Sequence, residues 1–171
     1  MISTDEAPTI DEATTARLAD ARALIEQQDF AAAIALLDSL LEAGLPQPVH
    51  VEIQTNLAAA LVMLARRKDT DASVARSQLD RARLLLIEAL QHYSPLDSAS
   101  NWASARANLA LAYLARDHLV TSDTDILQAH LALDGTEEAL TRIGDIAMLE
   151  WIRQIRDHLL DLRDRRARPR H

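Results

Sequence analysis

The sequence predicts an all-α fold of repeated antiparallel helical hairpins, and three observations predict it. Ala and Leu dominate a 171-residue chain that is 49% hydrophobic and only 3% aromatic, with three Gly and five Pro; this is a helix-forming alphabet. Val, Ile, Thr and aromatic residues never gather into alternating runs, so no segment qualifies as a strand. Finally, Thr55-Asn-Leu-Ala-Ala-Ala-Leu61 is echoed by Ala107-Asn-Leu-Ala-Leu-Ala-Tyr113. Each echo is followed after a gap by an Ala-rich stretch, Asp80 to Leu90 and then Ala132 to Leu140. A hairpin used more than once marks a repeat architecture, and such chains usually hold other molecules instead of transforming them.

The first helix is expected from Thr9, because Thr9-Ile-Asp-Glu12 reads as a capping box and Leu18, Ala21, Leu24 and Ile25 follow helical spacing. Gln28-Asp29 ends it, and Asp29 caps a second helix from Phe30 to Ala43, closed by Gly44 and the Pro46/Pro48 pair. A third helix runs from about Pro48 to Arg67 with Ile53, Leu57, Ala60, Leu61 and Leu64 on one stripe. A fourth, from about Asp71 to His92, buries Val74, Leu79, Ala82, Leu86, Ala89 and Leu90. Ser94-Pro-Leu-Asp97 supplies a cap and a Pro at the first helical position for a fifth helix reaching about His118. The sixth starts near Ser122-Asp-Thr-Asp125, with Leu127, Leu131, Ala132, Ala139 and Leu140 as its apolar face. Either Asp134-Gly135 breaks it, or it continues to Arg142 and Gly144-Asp145 makes the break; the second is favoured, because Ile143-Gly144-Asp145 reads as a C-terminal Gly followed by a cap. The last helix, about 145 to 167, buries Ile146, Met148 or Leu149, Ile152, Ile155 and Leu159 and leaves its arginines outside. The expected organisation is thus a tail at 1–8 without structure, one domain over 9–167 with hairpins at about 9–44, 48–92 and 95–142 and a capping helix at 145–167, and an Arg-rich end at 168–171.

Several functional classes are disfavoured. Cysteine is absent, which excludes disulfides, thiolate metal sites and a cysteine nucleophile. The acidic start lacks the layout of a secretion signal. The longest apolar run, Leu57 to Ala65, stops at Arg66-Arg67-Lys68, well short of the roughly 20 residues of a spanning helix. A cytoplasmic protein without membrane contact is expected. The net charge of -8 argues against general nucleic-acid binding, but it is unevenly placed. Residues 1–50 carry nine acids and two bases, whereas residues 151–171 carry seven arginines and three acids. Opposite ends of this kind favour intramolecular or head-to-tail contact, within a screening length of about 8 Å.

The hairpins resemble tetratricopeptide repeats, whose first helix carries Asn-Leu-Gly-x-Ala-Tyr and whose second carries Ala at two positions seven apart. Asn56-Leu57-Ala58-x-Ala60-Leu61 and Asn108-Leu109-Ala110-x-Ala112-Tyr113 match the first pattern, and Ala82/Ala89 and Ala132/Ala139 the second. Ala21, Leu24, Ala33 and Leu40 mark a degenerate third copy. Ala replaces the signature Gly, and the two Asn anchors lie 52 residues apart where the family spacing is about 34. The surplus is expected between the helices of a pair, at 66–78 and 115–125. With Trp102-Ala103 ahead of the second motif, the chain looks most like the arrays attached to caspase-like CHAT proteases, without a protease domain of its own, which points to a bacterial protein. The fold so implied is a right-handed solenoid of three hairpins plus a closing helix.

The resemblance also implies a ligand surface, the concave face of the first helices. The aligned positions are Glu52, Thr55, Asn56, Ala59 and Met63, then Ser104, Ala107, Asn108, Leu111 and Leu114, with Leu18 and Arg22 as counterparts in the first hairpin. Asn56 and Asn108 carry most of the expectation, because an Asn amide both donates to and accepts from a peptide backbone; the plainer reading is that each satisfies a neighbouring helix or loop. The basic cage that similar repeats use for a C-terminal carboxylate is not matched, since Glu52 stands where a cation is needed. Trp102 and Trp151 read as packing residues at repeat junctions, and Trp151 becomes a partner anchor if the last helix leaves one side uncovered.

No metal, cofactor or catalytic centre is expected. His50, His92, His118, His130, His158 and His171 form no HExxH or i,i+4 pair, and Asp69/Asp71 and Asp123/Asp125 read as helix caps. Arg163 to Arg170 would suit phosphate, but a solvated chain end explains it more simply. The expected function is a non-enzymatic adaptor binding a segment of a partner protein; the alternative is a self-associating module acting through the last helix and the oppositely charged ends.

Overall fold

The computed structural model describes residues 9–168, which form eight helices and no strand. The expected tail at 1–8 and most of the Arg-rich end at 168–171 lie outside the described residues. Helix α1 spans Glu12–Glu26 and α2 spans Phe30–Leu41. They pack on each other across a three-residue turn, so they run antiparallel. Asp11, not Thr9, caps α1, its carboxylate accepting from the Thr14 amide at 2.7 Å. Asp29 caps α2 as expected, accepting from Ala32 at 3.2 Å.

Helix α3 (Gln47–Ala65) and α4 (Ala72–Ala89) form the second hairpin. Pro48 occupies the first turn of α3, where its missing N–H costs nothing. Asp71 caps α4 through the amides of Ser73 and Val74. Among the described residues α3 is the one helix long and apolar enough to match a membrane span, yet half of that window is buried inside the fold. Its apolarity has a structural cause: it packs against α2, α4 and α5. Leu37, Leu40, Ile53, Leu57, Leu79 and Leu86 are wholly buried where these helices meet, each worth about 1.5–3 kcal/mol.

Helix α5 (Ala99–Leu119) is the centre of the molecule and touches α3, α4, α6, α7 and α8. It starts later than expected. Ser94 caps a single turn by accepting from Leu96 at 3.1 Å, and the helix proper begins after Ser98. Helices approach it from all round, and Ala103, Ala105, Ala107, Ala110 and Ala112 are fully buried. Small side chains admit that many neighbours, which is also why α5 shows no clean apolar stripe.

Helices α6 (Asp123–Ala132), α7 (Thr136–Ile143) and α8 (Ile146–Ala167) complete the chain. Both glycine breaks occur, at Gly135 and at Gly144, each with positive φ, so α6 does not continue to Arg142. The Ala132/Ala139 pair therefore sits on two helices, whereas Ala82/Ala89 shares one. The buried face of α6 is Ile126, Ala129 and Ala132, and Leu127 and Leu131 are exposed. Val74 and Ile146 are likewise exposed, their expected places taken by Ala75 and Leu149. The segments 66–78 and 115–125 are mostly helix, because α4 begins at Ala72, α5 runs to Leu119 and only residues 120–122 join α5 to α6. The surplus length over a 34-residue period lies chiefly in longer helices.

The arginines of α8 are not simply outside. Arg156 pairs with Glu137 at 2.8 Å and Arg153 with the same carboxylate at 3.3 Å. Arg166 reaches the buried carboxylate of Asp117, which also accepts the Ser122 amide at 2.9 Å. The carbonyl end of α6 is covered the same way: Arg106 donates to Ala132 at 2.6 Å and to Leu131 at 2.7 Å, and Arg156 donates to Leu133 at 3.1 Å. Cations at a helix C-terminus satisfy carbonyls that the helix cannot. Burial holds the Arg106 guanidinium below its ordinary pKa, with Asp134 opposing.

Candidate functional site

On α5, Asn101, Ser104, Asn108, Leu111, Leu114 and His118 recur at steps of three or four residues, which places them along one side of the helix. On α3 the corresponding line passes through Glu52, Thr55, Asn56, Met63 and Arg66, and on α8 through Trp151, Gln154, Ile155 and His158. Two cavities open along these lines, one about 740 Å³ and the other about 430 Å³. Ser104 borders the first and Asn108 the second. Four residues of α-helix separate them, about 6 Å.

The first cavity lies between α1, α3, the α4–α5 connection and the start of α5, and most of the side chains that line it carry a polar group. Arg22 of α1 pairs with Glu52 of α3 at the rim. The Gln47 amide lies 3.1 Å from His92 Nδ1. Burial raises the pKa of the Tyr93 phenol, with the Thr55 hydroxyl opposing the shift and Glu52 adding to it. Thr55 donates back to Val51 at 3.0 Å, within its own helix. Asn56 and Asn101 also face this cavity.

The second cavity lies between α3, α5 and α8. Met63, Leu111, Leu114, Trp151 and Ile155 give it an apolar wall, and Arg66, His118 and His158 a basic edge. Asn108 is 9% exposed and lines this cavity. Neither Asn56 nor Asn108 hydrogen-bonds through its side chain to another described residue. The plainer reading, in which each amide satisfies a neighbouring helix or loop, therefore finds no partner among those residues.

Arg22, Glu52, Thr55, Asn56 and Ser104 are thus gathered at the first cavity, and Met63, Asn108, Leu111, Leu114 and Trp151 at the second. Three expected positions fall elsewhere. Ala107 is fully buried in the helix contacts of α5, and Ala59, half-buried, lines neither cavity. Leu18 is a core residue. The residues missed were Gln47, His92, Tyr93 and Asn101 at the first cavity and Arg66, His118, Gln154 and His158 at the second. Extending the three-and-four spacing along α5 from Ser104 would have reached Asn101 and His118. Tyr93 and His92 had no such signal, because they lie in the turn after α4 and reach the site only through the path of the chain. Trp102 packs at the α6–α7 break instead, 3.6 Å from where a Gly135 Cβ would stand and with the Arg106 guanidinium 4.9 Å from its ring centre.

No family model, no curated protein and no solved structure matches this chain.

Proposed function

We propose that this chain is a non-enzymatic adaptor, built as a tetratricopeptide-like right-handed stack of hairpins, that holds a segment of a partner protein along the side shared by α1, α3, α5 and α8. Support for the repeat reading comes from the way α5 packs on both α3 and α8, with α4 beside α3 and α5. The observation that carries the binding reading is the pair Asn56 and Asn108, two amides with no internal hydrogen-bond partner, each at a cavity on that side. Each has donors and an acceptor to offer a peptide backbone, and both amides reach solvent, so a bound segment exchanges their water for backbone hydrogen bonds worth about 0.5–1.5 kcal/mol each.

The test uses 12-residue peptides selected from a random display library. Asn56→Ala with Asn108→Ala is expected to weaken the selected peptides at least tenfold while far-UV circular dichroism stays unchanged. Equal binding by the doubly substituted, folded protein removes this reading. Self-association through the charged ends is the competing proposal, and it is weakened by the pairing of Arg153, Arg156, Arg163, Arg165 and Arg166 with acids of the same chain.

A further inference from the structure

We infer that the second cavity takes an acidic amphipathic segment of a partner protein, seating an apolar side chain against Trp151 while flanking carboxylates meet a basic edge. This rests on the adaptor reading and adds the chemistry of the occupant. Three observations carry it. The wall made by Met63, Leu111, Trp151 and Ile155 is apolar and partly open, with Met63 40% exposed. A volume of about 430 Å³ lies within the roughly 300–1,000 Å³ of ligand pockets.

Charge selects among apolar occupants. The molecule as a whole is at -8, yet the ionisable side chains lining this cavity are Arg66, His118 and His158, with no carboxylate among them. Arg66 has no ion-pair partner among the described residues, its neighbour Arg67 being the one that meets Asp69. Asp161, one turn along α8 from His158, is taken by Arg165. Helices α3 and α5 end close by, and each terminus carries about half a negative charge, so the two together offset about as much charge as Arg66 supplies. The edge still offers a carboxylate a guanidinium and two imidazoles to pair with and no carboxylate to repel it.

Asn108 supplies an independent pointer. The residue is 9% exposed, its amide atoms still reach solvent at the cavity, and no described residue hydrogen-bonds to them. An apolar side chain alone would leave the amide unpaired, whereas the backbone of a bound segment would satisfy it. A polypeptide therefore fits better than a hydrocarbon of the same size.

The test reads Trp151 fluorescence in a Trp102→Phe background, where Trp151 is the sole indole. The probes are a 14-residue amphipathic peptide with Leu anchors flanked by Glu, the same peptide with Lys for Glu, the same peptide with Ser for the anchors, and dodecanoate. The acidic peptide is expected to shift the emission and to bind at least tenfold more tightly than the Lys and Ser versions. Arg66→Glu, an exposed substitution that leaves the core intact, should weaken it about tenfold. Asn108→Ala should weaken it without touching dodecanoate. The inference is overturned if the Lys peptide binds equally, if Arg66→Glu has no effect, or if dodecanoate matches the acidic peptide. It also falls if the emission instead shifts with protein concentration alone, which would identify a second copy of this chain as the occupant. Should library peptides bind in an Asn56-dependent way while the acidic peptide leaves Trp151 unmoved, the inference fails and the adaptor stands. Should neither class bind, both fail.

Discussion

Gln28 holds a position that glycine usually fills. Its φ of 62° makes it the one non-glycine residue with positive φ among those described. The amides around it close a Schellman turn, with Gln28 donating to Ile25 at 3.0 Å and Asp29 donating to Leu24 at 2.9 Å. Gly144 makes the same pair of bonds after α7, to Thr141 at 3.3 Å and, through Asp145, to Leu140 at 3.1 Å. A side chain in the left-handed region costs about 1–2 kcal/mol, and glycine returns about 0.5–1 kcal/mol of that as greater freedom in the unfolded chain. Gln28→Gly is therefore expected to stabilise the protein by about 0.5–1 kcal/mol, read as a higher urea midpoint at constant slope. An unchanged or lower midpoint would show that the Gln28 side chain is worth more than its backbone strain. At the site the residue scale was partly legible. The Asn-Leu-Ala echo marked Asn56 and Asn108 directly. Ala107 was misplaced because a motif position says nothing about how many helices crowd a given turn.

Between elements, the packing of α8 on α5 and α6 is reinforced at its C-terminal end by an ion pair to a buried carboxylate. Asp117 is 2% exposed and accepts from both the Ser122 amide and Arg166. The two partners are unequal, because Arg166 regains water if it loses Asp117, while Asp117 stays buried if it loses Arg166. Removing the arginine should therefore cost more. Arg166→Ala is expected to lower stability by about 2–3 kcal/mol and Asp117→Asn by about 1 kcal/mol, measured by urea unfolding of each variant. The reverse order would mean that Asp117 acts mainly through Ser122. Caps at Asp29, Asp71 and Asp145 and the break at Gly144 were legible, because caps use neighbours close in sequence, whereas the break at Gly135 was passed over in favour of a helix continuing to Arg142. The arginine contacts of Arg106, Arg156 and Arg166 join residues 19 to 49 positions apart, a distance at which local pattern carries no information. Leu127 and Leu131 were assigned to the core for a related reason. On a ten-residue helix two apolar faces compete, and which one is buried depends on where α5 and α8 lie.

For the whole molecule, the contacts are graded from one end to the other. Helix α1 packs mainly on α2 and is tied to α3 by the Arg22–Glu52 pair, whereas α5 is enclosed by five helices. Opening free energies should follow that order. Hydrogen exchange is expected to be fastest in α1 and slowest in α5, and a uniform rate across both would show that the chain opens only as one unit. The sequence by itself determined the all-α class, the hairpins up to α4, most caps and the stripe that bears the two asparagines, since these follow from composition, spacing and neighbours within a few residues. Only the tertiary structure decided that the site is two cavities of different character. Their polar and apolar walls are assembled from side chains of α1, α3, the α4–α5 turn, α5 and α8, and the chain brings these together only once every helix has found its place around α5.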